Sequence, residues 1–67
     1  MSVSGLLIDY TNWRGVRRKR RVEPIKLFKG SNEWHPEDQY LLRAKDLDSG
    51  EIRDFALKGI HSWEPIY

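Results

Sequence analysis

Turn-forming residues recur every ten to fifteen positions along this sequence, and apolar and polar side chains alternate between them. No window keeps the apolar period of roughly 3.6 residues that an amphipathic helix requires. The stretch from Leu6 to Thr11 shows the alternation, because Leu6, Ile8 and Tyr10 fall on one face of an extended strand. The pattern predicts an all-β domain built as a meander of short strands.

The turns divide the chain into five predicted strands, over residues 6–11, 16–28, 40–47, 51–55 and 60–63. The turns at Asn12–Gly15 and Asp48–Gly50 each end on a glycine, which adopts a positive φ without steric cost. Pro24 lacks the N–H that a central ladder needs, so the long second strand is expected to bend or bulge there. Residues 55–59 are expected to make one 3₁₀ turn, and residues 30–38 an irregular loop.

The 67 residues are predicted to form a single domain, 1–67, with a small core. At this size only about 60% of the unfolded surface is buried, and the chain has no cysteine to add disulfides. Contact with a partner or a second copy is therefore expected to contribute stability. Closing the sheet into a small barrel would remove exposed edges. The predicted core residues are Leu6, Ile8, Tyr10, Val22, Ile25, Leu27, Tyr40, Leu42, Ala44, Ile52, Phe55 and Leu57.

Several functional classes are disfavoured by the sequence. Residues 1–8 lack the basic start and long apolar run of a signal peptide, and no stretch approaches the roughly 18 apolar residues of a membrane span. We expect a cytoplasmic protein without a membrane partner. The acidic and histidine side chains Glu33, His35, Glu37 and Asp38 fit no metal-ligand spacing. No nucleophile–base arrangement is evident, so neither catalysis nor a cofactor is expected.

The charge of the chain is concentrated in one segment. Residues 14–29 hold eight cations and one carboxylate, a net charge of +7, whereas the remainder carries −5. Arginine-rich segments neutralise phosphates and bind them with strong salt dependence. Strand alternation places Arg18 and Arg20 on one face and Arg17, Lys19 and Arg21 on the other, which suggests that this part extends past the core. The alternative is a solvated hairpin whose cations pair with the carboxylates Asp46, Asp48, Glu51 and Asp54.

Three tryptophans lie outside the predicted core. Trp13 directly precedes the basic segment, where it could stack on a base or form a lid over the end of a barrel. Trp34 lies in the predicted loop and carries the same two alternatives. Trp63 is expected to pack the end of the fifth strand.

Four short motifs resemble the WYL domain family: Ile8–Asn12, Arg21–Pro24, Tyr40–Ala44 and Arg53–Leu57. Their order and spacing, with the Asp48–Gly50 turn between the last two, extend the resemblance over residues 5–63. It implies a five-stranded Sm-like barrel, similar to a Src-homology-3 barrel. Members are mostly bacterial or phage-related. They often follow a winged-helix domain in transcription regulators, where they sense a ligand, with single-stranded nucleic acid or nucleotides favoured.

The sequence departs from the family pattern at positions that the resemblance connects with ligand binding. Leu41 stands where the family has tyrosine in its Trp-Tyr-Leu run, and Ala56 and Gly59 stand where arginines are usual. Arg53 occupies the family's arginine two residues before Phe55. It could hold a phosphate or carboxylate, or form a structural ion pair with a carboxylate such as Asp46 or Glu23.

The sequence therefore predicts a stand-alone, non-enzymatic regulatory module that binds single-stranded nucleic acid or a nucleotide. The alternative is a module for protein interaction or self-association through a barrel edge. The predicted ligand-binding residues are Trp13, Arg14, Arg17, Arg18, Arg20, Arg21, Arg43 and Arg53.

Overall fold

The computed structural model describes residues 5–31 and 37–66, and within them it contains a single antiparallel sheet without α-helices. Its elements are β1 (Gly5–Thr11), β2 (Arg17–Gly30), β3 (Gln39–Asp46), β4 (Ile52–Ala56), a 3₁₀ turn (Leu57–Gly59) and β5 (Ile60–Ile66). The all-β prediction and the 3₁₀ turn are confirmed, and β5 is longer than expected. Most of the predicted loop at 30–38, with Glu33, Trp34 and His35, lies outside the described residues.

The strands are ordered β4-β3-β2-β1-β5, and β2 changes its partner part of the way along. It pairs with β1 from Arg17 to Val22 and with β3 from Val22 to Gly30. The ladder with β3 shifts register between Pro24 and Lys26, which confirms the predicted irregularity at the proline. The two turn glycines have φ of 81° and 78°, also as predicted.

The sheet is curled, which brings β1 and β4 into contact although they are not neighbours in the strand order. The Ala56 N–H donates to the Tyr10 hydroxyl at 3.2 Å. The Tyr10 and Phe55 rings meet edge to face, with centroids 5.0 Å apart. No ladder joins β4 to β5 in the described part of the chain, so the sheet itself is not closed. The 3₁₀ turn alone connects these two edges.

The main core lies on the inner face of the curled sheet. It contains the buried residues Ile8, Tyr10, Val22, Leu42, Ala44 and Phe55, with Leu6, Leu57 and Ile60 packed against them. Burial of each large apolar side chain contributes about 1.5–3 kcal/mol, so these few residues supply most of the hydrophobic stabilisation. All of them except Ile60 were predicted from strand alternation.

Four predicted core residues are wrong: Ile25, Leu27, Tyr40 and Ile52 are 52–59% exposed. Ile25 lies at the register shift of β2. Leu27 and Tyr40 lie on the part of the β2–β3 ladder beyond the residues of β2 that pair with β1. Ile52 faces Lys45, on the side of β4 away from the core. Leu41, which is not among the predicted core residues, is fully buried between Phe28 and Ala56 in the register.

Gly59 is required by a close approach between the 3₁₀ turn and β1. A Cβ at this position would lie 2.5 Å from the Thr11 carbonyl oxygen and 2.8 Å from the Tyr10 ring. We predict that Gly59→Ala lowers the free energy of unfolding by about 1–3 kcal/mol, because the added methyl group overpacks this contact. Urea titration of the purified chain measures the change.

The matched control is Gly30→Ala, whose added Cβ would meet the Phe28 ring at 3.4 Å, an ordinary contact distance. Gly30→Ala is expected to leave stability unchanged or slightly increased, because alanine loses less conformational entropy in a strand. Equal stability of the two variants would contradict the proposed packing constraint at Gly59.

Candidate functional site

The turn between β1 and β2 is fixed by the side chain of Asn12. Its Oδ1 accepts hydrogen bonds from the backbone N–H of Arg14 at 2.9 Å and of Val16 at 3.0 Å. The Asn12 carbonyl also accepts the Gly15 N–H at 2.9 Å. This network holds the two residues at the tip of the turn in a defined position.

Trp13 and Arg14 form an exposed aromatic–cation pair at that tip. The Trp13 side chain is 57% exposed, and the guanidinium carbon of Arg14 lies 4.9 Å from its ring centroid. An arginine over an indole at this distance makes a cation–π contact. Of the two alternatives for Trp13, an exposed stacking surface fits this geometry better than a lid.

The basic first half of β2 belongs to the sheet and does not project beyond it. Arg20 lies opposite Ile8 and Arg18 opposite Tyr10 in the ladder with β1, so both share the face that carries the core. The predicted alternation of these arginines is confirmed. Arg17, Arg18 and Lys19 are exposed, as expected of a segment that extends past the core, whereas the Arg20 side chain is only 18% exposed and lies against the sheet.

Arg20 and Arg53 converge on one buried carboxylate. The Asp46 Oδ2 lies 3.3 Å from Arg20 Nη1 and 3.6 Å from Arg53 Nε. The other oxygen, Oδ1, accepts the backbone N–H groups of Asp48 and Ser49. Asp46 therefore fixes the β3–β4 turn and clamps β2 and β4 to it.

The pKa of Asp46 reflects this environment. Burial raises the pKa, but the backbone hydrogen bonds from Asp48 and Ser49 and the charges of Arg20 and Arg53 outweigh it, leaving the pKa below 3.8. The carboxylate is thus charged at neutral pH despite its burial. Arg53 also donates to the exposed carboxylate of Glu51 at 2.7 Å. Of the two partners considered for Arg53, Asp46 is the one that the structure pairs with it.

Two other arginines on the first half of β2 also make ion pairs. Arg17 forms a bidentate pair with Asp9 at 2.9 and 2.8 Å, and its hydrogen bond lowers the pKa of Asp9. Arg21 lies 3.8 Å from Asp48.

Arg43 donates to both oxygens of Asp54 and lies over the Phe28 ring, with 5.0 Å between its guanidinium carbon and the ring centroid. Ion pairs are thus present at Arg17, Arg20, Arg21, Arg43 and Arg53, although the partner of Arg17 is Asp9 and not one of the predicted carboxylates. Among these five side chains only Arg20, at 18% exposed, is largely buried.

Arg14 and Arg18 are different from the other predicted arginines. Both are exposed, and neither forms a salt bridge with a carboxylate in the described part of the chain. Arg14 lies over the Trp13 ring at the tip of the turn, and Arg18 is the second residue of β2. We call Trp13, Arg14 and Arg18 the hairpin surface.

The fold and these contacts define a small antiparallel β domain with an arginine–aspartate clamp and a cationic hairpin surface. A family model, the WYL domain, matches residues 4–65, and the chain therefore belongs to the WYL domain family. WYL domains are generally regulatory, ligand-sensing modules. No curated protein and no solved structure matches the chain.

Two absences can be reported for residues 5–31 and 37–66. None of the helical segments there is long and apolar enough to cross a membrane. No group of three or more histidine or acidic side chains within the same residues is placed to hold a metal ion.

Two of the departures from the family pattern have a structural explanation. Leu41, at the family's tyrosine position, is fully buried and packs the sheet face opposite the main core. At Gly59, a family arginine position, there is no space for a side chain next to Thr11 and Tyr10. Neither position can contribute a ligand contact in this fold.

Asp46 is the residue whose importance the sequence analysis missed. It was considered only as one of several carboxylates that could pair with the basic segment. Its position directly before the Asp48–Gly50 turn was an available signal, because aspartate there commonly accepts backbone hydrogen bonds from the turn.

We predict that Asp46→Asn lowers the free energy of unfolding at pH 7 by about 2–3 kcal/mol, because two guanidinium groups lose their buried counter-charge. The folded-state pKa of Asp46 is below its ordinary value of 3.8. Its contribution is therefore complete above that value and is lost as the pH falls through the folded-state pKa. Urea titrations from neutral to acidic pH should show the difference between the two proteins shrinking below about pH 4.

The control for this experiment is Asp48→Asn, because Asp48 is 66% exposed and lies 3.8 Å from Arg21. It is expected to change stability by less than about 0.5 kcal/mol. A stability loss for Asp46→Asn that persists unchanged at low pH would show that charge is not the cause.

Proposed function

We propose that this WYL domain is a non-enzymatic regulatory module that binds single-stranded nucleic acid or a nucleotide through its hairpin surface. The observation that carries the proposal is the exposed pair of Trp13 and Arg14 at the tip of the turn, followed on β2 by the exposed Arg18. Neither Arg14 nor Arg18 forms a salt bridge with a carboxylate in the described part of the chain. Arginine matches the geometry of a phosphate with two parallel hydrogen bonds. An exposed indole stacks on any base, because every base has a π-face.

The structure narrows the set of residues to which we assign ligand contacts. Arg17, Arg20 and Arg21 have carboxylate partners that stabilise the strand pairing, so we assign them only a long-range electrostatic contribution. Arg43 and Arg53 are shared between their carboxylates and solvent. We assign to Arg53 a secondary contact, made when the ligand displaces the exposed Glu51 carboxylate.

An extended strand fits the hairpin surface better than a mononucleotide. The three residues lie on an exposed turn and along β2, a surface on which successive phosphates and bases can be bound. We further propose that the curled sheet is an Sm-like barrel left open between β4 and β5, and that the module acts in a bacterial or phage-related transcription-regulatory system in the cytoplasm.

The charge contribution is tested with Arg14→Glu/Arg18→Glu. This variant should bind a fluorescent oligothymidylate at least about tenfold more weakly at low salt, because it removes two phosphate contacts. The slope of log affinity against log salt should also fall by about 1.4. Fluorescence anisotropy at several salt concentrations measures both quantities.

Lys26→Glu/Lys29→Glu provides the matched control. Both double variants change the net charge from +2 to −2, but Lys26 and Lys29 lie on the second half of β2. The control should lose less than about threefold in affinity if binding is localised at the hairpin surface. Equal losses in the two variants would show that only net charge matters, and absence of wild-type binding at low salt would refute the proposal.

The stacking contribution is tested with Trp13→Ala. Loss of one stacked base should weaken oligothymidylate binding by about 1–3 kcal/mol while leaving the salt slope unchanged, because no cation is removed. Tyr40→Ala is the control, since Tyr40 is 58% exposed, close to the 57% of Trp13, but lies on β3 opposite Lys29. If Tyr40→Ala weakens oligothymidylate binding as much as Trp13→Ala does, Trp13 is not the specific stacking surface.

The second candidate function is docking on another protein. The observation that favours it is the one-sided pairing of β2, which leaves part of a strand edge uncovered within the described residues.

A further inference from the structure

One side of the first half of β2 is uncovered in the described part of the chain. The strand pairs with β1 from Arg17 onwards, whereas β3 begins to pair with it only at Val22. The backbone groups of successive strand residues point alternately to the two sides. The Val16 carbonyl accepts the Asn12 N–H, so the even-numbered residues point towards β1.

The odd-numbered residues therefore point away from β1. The Arg21 carbonyl confirms this direction, because it accepts the Leu47 N–H at 2.9 Å from the β3 side. Arg17 and Lys19 have the same orientation and present their N–H and C=O groups along the same side. We call this stretch, residues 17–20 on the side away from β1, the free edge.

The chain itself places carboxylates at the end of this edge. Asp46 is the last residue of β3, and Leu47 and Asp48 begin the turn that follows. The Leu47 N–H donates to the Arg21 carbonyl, and the flanking carboxylates contact arginines of β2, with 3.3 Å between Asp46 and Arg20 and 3.8 Å between Asp48 and Arg21. Where the chain leaves the edge, one backbone hydrogen bond is thus combined with two carboxylate–guanidinium contacts.

We propose that an extended acidic peptide of another protein binds the free edge as an added strand, continuing from the point where Leu47 leaves it. Backbone hydrogen bonds to Arg17 and Lys19 supply the pairing. Carboxylates that alternate along the peptide lie on one face of it, where they meet either Arg18 or, in the opposite orientation, Arg17 and Lys19. A second copy of this chain would bring two basic edges together, and its cations would repel.

This inference goes beyond nucleic-acid binding and does not depend on it. The probe is a fluorescent decapeptide of alternating glutamate and valine. Its comparison peptide has the same side chains but carries an N-methyl group on every backbone amide, which removes the N–H donors of both strand edges without changing charge. The unmodified peptide is expected to bind at low salt about tenfold or more tightly than the N-methylated one.

Two variants of the protein test the same backbone pairing. Lys19→Pro removes the outward N–H of residue 19 and leaves the ladder with β1 intact, because that N–H does not point towards β1. Lys19→Ala removes the same charge but keeps the N–H. Peptide affinity should fall about tenfold or more in Lys19→Pro and less than about threefold in Lys19→Ala, relative to wild type.

Each outcome discriminates between explanations. Equal binding of both peptides would overturn the proposal, because binding would then depend on charge alone. If the chain binds oligothymidylate but not the peptide, the peptide proposal is wrong and nucleic-acid binding at the hairpin surface is unaffected. If it binds the peptide but not oligothymidylate, nucleic-acid binding is wrong and the peptide proposal is unaffected. If sedimentation shows a dimer that Lys19→Pro converts to monomer, a second copy occupies the edge and the proposal is wrong. The peptide comparison remains decisive if Lys19→Pro does not fold.

Discussion

The convergence of Arg20 and Arg53 on the Asp46 carboxylate is the interaction on which the rest of the structure depends. It connects three strands, β2, β3 and β4. The same carboxylate accepts two backbone hydrogen bonds from the turn that follows it. These hydrogen bonds, the hydrogen bond from Arg20 and the charge of Arg53 at 3.6 Å together offset the desolvation of the carboxylate.

The fold was largely predictable because its local signals agree with one another. Alternating apolar residues identified β1 and most of the core, and two glycines with positive φ identified the turns. Alternation gives only the two faces of a strand and does not show how far an opposite layer extends. For this reason it placed Leu27 and Tyr40 in the core although both are more than half exposed, and it did not identify Leu41 as a buried residue.

The candidate site was less predictable, because its chemistry depends on pairs from distant parts of the chain. The sequence identified the basic segment, but it does not show which of the arginines there have carboxylate partners. The curled sheet brings Asp46 to Arg20, 26 residues away, and β1 brings Asp9 to Arg17. Only these tertiary contacts separate the arginines that stabilise the fold from Arg14 and Arg18, which remain available at the hairpin surface.

The charge on the first half of β2 also has a consequence for the free edge. Small β domains must protect uncovered edges, and rows of cations do so by repelling neutral or basic strands that would otherwise aggregate there. The protection is selective, because the cations of β2 attract a strand that carries carboxylates and repel a strand that carries cations. Asp46 and Asp48, at the end of β3 and in the turn after it, already place two carboxylates beside arginines at this end of the edge. In the interaction that we propose, the cations that discourage aggregation also select an acidic partner.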